Sequence, residues 1–225
     1  MREYAHRQVV TIQDQLNAAR HSRGRVIIID DDDAIREALV SLLHLEGYAT
    51  EAHASAMSYL EKLERVEPEF PVPHCLLLDV KMPGLTGLEL QRRLIDLCAS
   101  TSIVFMSGGS GAPEAVQVLK NGASDFLVKP FEGQELLEAV ANALQKVQHR
   151  QETETQRDIA TQRISHLSAR ELQIAKMVCS GALNRDIAAQ LGIAVRTVKL
   201  HRMNMMSKLQ VSNVIELARI MDNHG

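Results

Sequence analysis

Acidic, hydroxyl and ammonium side chains end or follow short apolar segments at four places in the sequence. The segments are Arg25–Ile29, Cys75–Asp79, Ser102–Met106 and Asp125–Val128. Each has the length and the apolar, often β-branched content of a strand that is buried on both faces of a parallel sheet. Because ligands of such sheets bind beyond the carboxyl ends of the strands, five side chains are predicted to meet at one edge: Asp30, Asp31, Asp79, Ser107 and Lys129.

Three crowded carboxylates repel one another unless a divalent cation neutralises them. Mg²⁺ prefers oxygen ligands and keeps several waters, so it suits a few carboxylates and a phosphate oxygen. A carboxylate beside Mg²⁺ can attack phosphorus to give an aspartyl phosphate, while lysine and metal stabilise the developing charge. Such residues can instead be ordinary helix caps, and we favour that interpretation for Asp32 and Asp33. For the other five groups, the shared position at strand ends favours phosphoryl chemistry.

Five strand–helix units are predicted to position these groups. The first helix is predicted to stop at Gly47. It carries an apolar series at helical spacing: Ile35, Leu39, Leu42, Leu43 and Leu45. A weaker strand is expected at Tyr48–His53, and the remaining helices are expected around residues 56–66, 88–97 and 115–120 and from about 132 onward. Strands that alternate with helices indicate an α/β fold with a five-stranded, doubly wound parallel sheet.

The C-terminal part is helical by pattern and predicts a second, all-α domain. A capping box at Ser168–Glu171 opens one helix, and Asn184 is expected to cap a short helix that ends near Gly192. A longer basic helix, Val195–Leu209, and a last helix, Val214–Met221, follow. This order is that of a helix-turn-helix domain. The predicted parts are an N-terminal arm (1–23), the sheet domain (24–145), a helical or flexible linker (146–165) and the helix-turn-helix domain (166–225).

The longer basic helix is predicted to have two different faces, since each helical residue turns by about 100°. The packing face carries Val198, Arg202, Met205 and Leu209, with Arg202 at its edge. The opposite face mixes charge, amide and apolar groups, as a helix that reads a major groove does: Lys199, Leu200, Met203, Asn204 and Ser207. Met205 and Met206 are interpreted as gap-filling core residues.

Composition narrows the class of protein. The net charge of −3 conceals 19 acidic against 9 basic residues in 24–145, and 4 acidic against 8 basic in 166–225. This asymmetry suggests a cation site in the first domain and a polyanion partner for the second. With no apolar run long enough for a membrane span, no signal-peptide pattern and three cysteines without metal spacing, we expect a cytoplasmic protein.

Residues 24–145 resemble a CheY-like receiver domain of bacterial two-component response regulators. The matching motifs are Ile29–Asp32, Leu78–Gly84, Phe105–Gly108 and Asp125–Pro130. The resemblance implies that Asp79 is the phospho-acceptor. It implies Mg²⁺ as cofactor, held by Asp30 (largely through water), Asp31, Asp79 and the backbone carbonyl of Lys81. It assigns phosphate-binding and switch roles to Ser107, Gly108, Phe126 and Lys129, with Ser107 where many relatives have threonine.

Residues 166–225 resemble the LuxR-type helix-turn-helix domain of NarL/FixJ-family regulators. The motifs are Leu167–Glu171, Asn184–Ala188, Leu191–Ile193 and Thr197–Lys199, with Gly181, His201, Asn204, Lys208 and Leu209. The resemblance implies that Lys199, Leu200 and Met203 face bases. The candidates for phosphate contacts are Arg185, Arg196, Thr197, Asn204 and Lys208. Ala194 departs from the usual serine at the cap of the recognition helix.

Together the two resemblances imply a phosphorylation-dependent transcriptional regulator. A sensor histidine kinase would phosphorylate Asp79, and the chain would bind double-stranded promoter DNA as a homodimer, without membrane contact and without acting as an enzyme on other substrates. The apolar stripe Val214, Leu217, Ala218 and Met221 either forms dimer contacts or packs on its own domain. Two alternatives are a phosphate-independent DNA-binding regulator and a Mg²⁺-dependent phosphatase with an aspartate nucleophile. The second is disfavoured because Asp79–Lys81 lacks a D-x-D pattern.

Overall fold

Five parallel strands form one sheet in the order β2-β1-β3-β4-β5, which confirms the predicted fold class. The computed structural model describes residues 23–65, 74–95, 101–109 and 112–224. Within them the strands are β1 (Arg25–Ile29), β2 (Ala49–His53), β3 (His74–Asp79), β4 (Thr101–Ser107) and β5 (Asp125–Val128). Because all pairings are parallel, the carboxyl ends of the strands share one edge.

Helices follow each strand, with bounds close to those that the apolar spacing predicts. They are α1 (Asp33–Leu45), α2 (Ala56–Arg65), α3 (Gly87–Ile95), α4 (Ala112–Lys120) and α5 (Gly133–Ser165). Asp32 caps α1: its side chain accepts hydrogen bonds from the backbone N–H groups of Ala34 at 2.8 Å and Ile35 at 3.2 Å. The predicted ends of α2 at Val66 and of α3 at Leu97 lie outside the described residues.

Both faces of the sheet are covered by helices. Successive residues of a strand point to opposite faces, and β1 divides accordingly. Val26 and Ile28 pack in a core with residues of α1 and α5, including Leu39, Leu43 and Val140. Ile27 and Ile29 pack in a second core with residues of α2, α3 and α4, including Tyr59, Leu90 and Val118. Burial on both faces explains why the strands contain continuous apolar runs rather than alternating ones.

The prediction that Leu45 belongs to the apolar face of α1 is wrong. Its exposed fraction is 84%, whereas Leu43 is fully buried. Two helical positions correspond to a rotation of about 200°, so a residue two places after Leu43 lies on the opposite side of the helix. The apolar residue type alone does not reveal this, because the helical rotation decides which leucines face the core.

The helical unit has four helices within the described residues after α5. They are α6 (Ala169–Cys179), α7 (Asn184–Leu191), α8 (Val195–Leu209) and α9 (Val214–His224). Their core contains Ile174, Ile187, Val198, Met205 and Leu217, with Met206 partly buried against it. The core role predicted for both methionines is thus confirmed. The capping box between Ser168 and Glu171 is also present.

The prediction that Asn184 caps α7 is wrong by one residue. Leu183 occupies the N-cap position and provides no side-chain hydrogen bond to the helix. Asn184 is the first helical residue, and its Oδ1 accepts a hydrogen bond of 2.7 Å from Nη1 of Arg202 on α8. The amide therefore joins two helices instead of capping one, because a charged donor on a neighbouring helix binds its oxygen.

The predicted linker, residues 146–165, is helical throughout and belongs to α5. The chain divides into two compact units between Arg150 and Gln151, which is inside this helix. Among the described residues, no helix combines the length and the apolar character needed to cross a membrane.

Candidate functional site

Lys129 joins two carboxylates at the carboxyl edge of the sheet. Its Nζ donates hydrogen bonds of 2.6 Å to Oδ2 of Asp30 and to Oδ1 of Asp79. Asp30 directly follows β1, Asp79 ends β3 and Lys129 directly follows β5, so three strands bring these groups together. Both carboxylates are buried, with exposed fractions of 1% and 6%. The predicted meeting of strand-end groups therefore holds for these three residues.

Backbone N–H groups hold the remaining carboxylate oxygens. Oδ2 of Asp79 accepts a hydrogen bond of 2.7 Å from the N–H of Lys81, and Oδ1 of Asp30 accepts one of 3.0 Å from the N–H of Asp32. Burial raises the pKa of Asp79, and its hydrogen bonds to Lys129 and Lys81 offset this only in part. Burial lowers the pKa of Lys129, but its bonds to Asp30 and Asp79 outweigh burial and raise it. Lys129 therefore keeps its positive charge.

Ser107 lies at the end of β4, beside this ion pair. It is buried, and its carbonyl oxygen accepts a hydrogen bond of 2.7 Å from the backbone N–H of Lys129. Its Oγ accepts a long hydrogen bond of 3.4 Å from the N–H of Gly109. Gly108 is exposed, and an added Cβ there would meet no atom within 4 Å. The space beside Ser107 is therefore open.

The aromatic residue Phe126 lies on β5 opposite Phe105 of β4. Its side chain is partly buried and packs against the core between the sheet and α2, α3 and α4. The ring is therefore neither locked in the core nor fully exposed to solvent.

Asp31 and Lys81 are exposed, unlike the buried groups. Of the three carboxylates that the sequence predicts to be crowded, Asp30 and Asp79 share Lys129, which relieves their repulsion, and Asp31 is exposed to solvent. Among the residues that the structure describes, no group of three or more His, Cys, Asp and Glu side chains is arranged to hold a metal ion. The donor types nevertheless suit Mg²⁺, since carboxylate oxygens are its preferred ligands. One lysine does not balance the charges of Asp30, Asp31 and Asp79, so these four groups together keep a net negative charge.

Helix α8 has the two faces that its sequence predicts. Val198, Met205 and Leu209 are fully buried. The opposite face is exposed and includes two large apolar side chains, Leu200 at 51% and Met203 at 63%. Lys199, Asn204 and Arg196 are exposed beside them, Thr197 is partly buried, and Arg185 on α7 is exposed. Ala194 occupies the N-cap of α8 without a side-chain hydrogen bond, as its type requires.

Lys208, a candidate for a DNA phosphate contact, binds within the protein. Its Nζ donates a hydrogen bond of 2.7 Å to Oε2 of Glu171, whose side chain is buried. The same oxygen accepts hydrogen bonds from the backbone N–H of Ser168 at 2.8 Å and from its Oγ at 2.9 Å. Lys208 first, and then Ser168, lower the pKa of Glu171 from 4.5 to about 2. Lys208 therefore stabilises a buried carboxylate that also caps α6.

Comparison with known proteins places both units in described families. Residues 26–141 match the family model described as the response regulator receiver domain, and residues 165–221 match that of the luxR family of bacterial regulatory proteins. The chain belongs to the response regulators with a LuxR-type DNA-binding domain. It is 38% identical over 195 residues to the response regulator protein TmoT of Ectopseudomonas mendocina, which covers 87% of this chain and 86% of TmoT.

Two further relatives support the same two-part architecture for this response regulator. The transcriptional regulatory protein FixJ of Azorhizobium caulinodans is 38% identical over 198 residues, covering 87% of this chain and 90% of FixJ. The solved structure of the response regulator StyR has a TM-score of 0.74 and 37% identity, covering 88% of this chain and 98% of StyR. The relatives match across both units, so the receiver and the DNA-binding domain occur together in them.

Sequence reasoning missed two residues that shape the acidic edge of this response regulator. Gly87 begins α3, and a Cβ there would collide with the backbone carbonyl of Asp79. The only sequence signal for this close approach is the residue type itself, because glycine has no Cβ. Arg36 on α1 donates a hydrogen bond of 2.6 Å to the carbonyl oxygen of Asp30. No sequence signal marked it, since an arginine on a predicted helix usually faces solvent.

Proposed function

We propose that Asp79 accepts a phosphoryl group from a phosphohistidine of a sensor histidine kinase. The contact of Lys129 with both Asp79 and Asp30 carries this proposal. It fixes a nucleophilic carboxylate beside a permanent positive charge, at the sheet edge where ligands of α/β folds bind. The raised pKa of Asp79 also supports the proposal, because a carboxylate whose negative charge is poorly stabilised gains from a divalent cation bound beside it.

In the proposed reaction an oxygen of Asp79 attacks phosphorus, and the phosphorus–nitrogen bond of the phosphohistidine breaks. The histidine nitrogen leaves with the bonding electron pair, and an acyl phosphate remains on Asp79. The ammonium of Lys129 stabilises the negative charge that is transferred. Mg²⁺, held by Asp30, Asp31, Asp79 and the carbonyl of Lys81, would neutralise the phosphoryl oxygens. No other substrate is turned over, so the chain acts as a switch.

The phosphoryl group is proposed to change the surface around β4 and β5. Within the described residues, Ser107 Oγ makes one hydrogen bond, a long one from the N–H of Gly109, so it can exchange this bond for a phosphoryl oxygen. Gly108 leaves the neighbouring space open, and Phe126 can follow Ser107 because its side chain is only partly buried. A new dianionic charge that recruits a hydroxyl and an ammonium is sufficient to shift a two-state surface.

The output is proposed to be binding of promoter DNA by a homodimer. Lys199, Leu200 and Met203 would face bases, while Arg185, Arg196, Thr197 and Asn204 would contact phosphates. The pairing with Glu171 sets Lys208 apart from these contacts. Of the predicted stripe on α9, Leu217 is buried in its own core, Ala218 and Met221 are partly buried and Val214 is 39% exposed. Val214, together with the neighbouring Ile215 at 79%, is therefore the part of α9 most available for dimer contacts.

Labelling by acetyl phosphate with Mg²⁺ tests the acceptor. Asp79→Asn should abolish labelling, because an amide cannot form the acyl phosphate. Asp125→Asn is the matched control and should label like the wild type. Asp125 lies at the amino end of β5, whereas Asp79 lies at the carboxyl end of β3. Labelling of Asp79→Asn would mean a different acceptor. If wild-type DNA affinity is the same with and without beryllofluoride, the regulator is independent of phosphate.

A further inference from the structure

Arg36 spans the first turn of α1 and binds the loop that carries the acidic residues. Its Nη1 donates a hydrogen bond of 2.6 Å to the carbonyl oxygen of Asp30, and its Nη2 pairs with the carboxylate of Asp33. The Arg36 side chain is 14% exposed, whereas that of Asp33 is 85% exposed. The hydrogen bond from Arg36 to the carbonyl oxygen is therefore shielded from solvent, whereas the carboxylate of the ion pair is solvated.

Each of the other polar atoms of Asp30 also has a partner. Its N–H donates to the carbonyl of His53 at 3.3 Å, Oδ1 accepts from the N–H of Asp32, and Oδ2 accepts from Lys129. Arg36 completes this set at the carbonyl oxygen. That oxygen lies in the peptide plane that contains the nitrogen of Asp31, because the six atoms of a peptide unit are coplanar. Holding the oxygen therefore fixes the direction in which the chain continues to Asp31.

We propose that Arg36 is a positioning residue for Mg²⁺, which orients the Asp30–Asp31 peptide so that Asp31 is placed for metal binding. The proposal rests on the proposed function, in which Asp31 is a metal ligand. Arg36 itself would not touch the metal or the phosphoryl group. Groups that orient ligands in this way commonly change metal affinity by about tenfold when they are removed.

A purely electrostatic role for Arg36 predicts the opposite result. A guanidinium near a Mg²⁺ site repels the cation, so its removal would tighten binding if charge alone mattered. Likewise, removal of the Asp33 charge would weaken binding on electrostatic grounds, although its exposure means that solvent screens most of the effect. Positioning predicts weaker binding without Arg36 and unchanged binding without Asp33. The sign of the change therefore separates the two roles.

The experiment measures Mg²⁺ affinity of the full chain by calorimetry, since the sequence has no tryptophan to report binding by fluorescence. Arg36→Met keeps the apolar stem and removes every donor. Arg36→Lys keeps the charge but lacks the planar fork that holds two acceptors. Asp33→Asn removes the ion pair and leaves the carbonyl contact. Thermal unfolding without Mg²⁺ establishes that each variant is folded, and acetyl phosphate labelling is followed over a range of Mg²⁺ concentrations.

Arg36→Met is expected to weaken Mg²⁺ binding about tenfold, and Arg36→Lys is expected to weaken it by a smaller factor, because the charge stays but the planar fork is lost. Asp33→Asn is expected to bind Mg²⁺ like the wild type. Labelling of the Arg36 variants should return to the wild-type rate at saturating Mg²⁺, because the chemistry at Asp79 is intact. Unchanged or tighter binding in Arg36→Met overturns the proposal. If that variant does not fold, unchanged binding in Arg36→Lys overturns it equally.

Failure of the proposed function gives a different result. If the wild type binds Mg²⁺ but is not labelled, the acceptor role of Asp79 fails while the affinities still test Arg36. If the wild type is labelled and the Arg36 variants keep its Mg²⁺ affinity, only the positioning role fails. If the wild type does not bind Mg²⁺ at all, both proposals are overturned.

Discussion

The two units each contain a lysine bound to a buried carboxylate, but the balance of charge differs. In the receiver, Lys129 binds two carboxylates, those of Asp30 and Asp79. In the DNA-binding domain, Lys208 binds the single carboxylate of Glu171, which also accepts hydrogen bonds from Ser168. Burial and the nearby charge of Asp30 raise the pKa of Asp79, whereas the bonds from Lys208 and Ser168 lower the pKa of Glu171 to about 2.

This difference separates the proposed phospho-acceptor from a structural carboxylate. A carboxylate whose charge is fully matched by donors stabilises the folded chain and has little reason to react. A carboxylate that shares its lysine with another acid is held at a cost in stability and gains from a new cationic partner, such as a metal ion. The same residue types thus serve packing in one unit and the proposed chemistry in the other.

The largest expected effect on stability is that of Glu171→Gln. The amide loses the charge-assisted bonds with Lys208 and Ser168, so we expect the free energy of unfolding to fall by about 1 to 2 kcal/mol at pH 7. Urea denaturation of the full chain measures this. Gln173→Glu changes an exposed position of the same helix and should have little effect. An unchanged urea midpoint for Glu171→Gln would mean that the pair of Glu171 and Lys208 does not stabilise the fold.

The pH dependence of that loss follows from the lowered pKa of Glu171. Because the folded-state pKa of about 2 lies below the ordinary value of 4.5, the ionised carboxylate stabilises the fold above about pH 4.5. This contribution disappears as the pH falls toward about 2. The difference in stability between the wild type and Glu171→Gln should therefore be complete at pH 6 and should vanish near pH 2.

A smaller effect of opposite sign is expected for Asp79→Asn. The raised pKa of Asp79 means that its ionisation opposes folding above the ordinary value of 3.8. The substitution removes this charge, and Lys129 still has Asp30 as its partner. We expect a gain of about 1 kcal/mol in the free energy of unfolding at pH 7, which shrinks as the pH falls toward 3.8 and is absent below it. Destabilisation at pH 7 would place Asp79 with Glu171 as a structural carboxylate.

The smallest effect is expected for Lys208 in DNA binding. A lysine already matched to Glu171 should contribute little to phosphate neutralisation, so Lys208→Met should leave the slope of log affinity against log salt unchanged. Arg196→Met, at an exposed position of the same helix, should reduce that slope by about 1. Binding of a random duplex at several salt concentrations measures both. Equal reductions would show that Lys208 leaves Glu171 for the phosphate backbone.

Much of the fold followed from local sequence features. The apolar runs predicted the strands because strands buried on both faces need continuous apolar residues, and helical spacing predicted the helices between them. The start and end of α8 at Val195 and Leu209 agree with the structure, since the residue pattern changes sharply at both ends. Leu45 and Asn184 were misassigned because rotation about the helix axis and a neighbouring arginine, respectively, decide where these side chains bind.

The sequence by itself determined which chemical groups stand at the strand ends, and therefore that Asp30, Asp79 and Lys129 would share one edge of a parallel sheet. Only the tertiary structure decided how their charges are divided: one ammonium between two carboxylates, with Asp31 exposed, Arg36 on the Asp30 carbonyl and Lys208 paired with Glu171. The physical reason is the separation along the chain of the residues that decide each feature. Strand and helix patterns depend on neighbours along the chain, whereas charge pairing depends on distances between groups that the sequence separates.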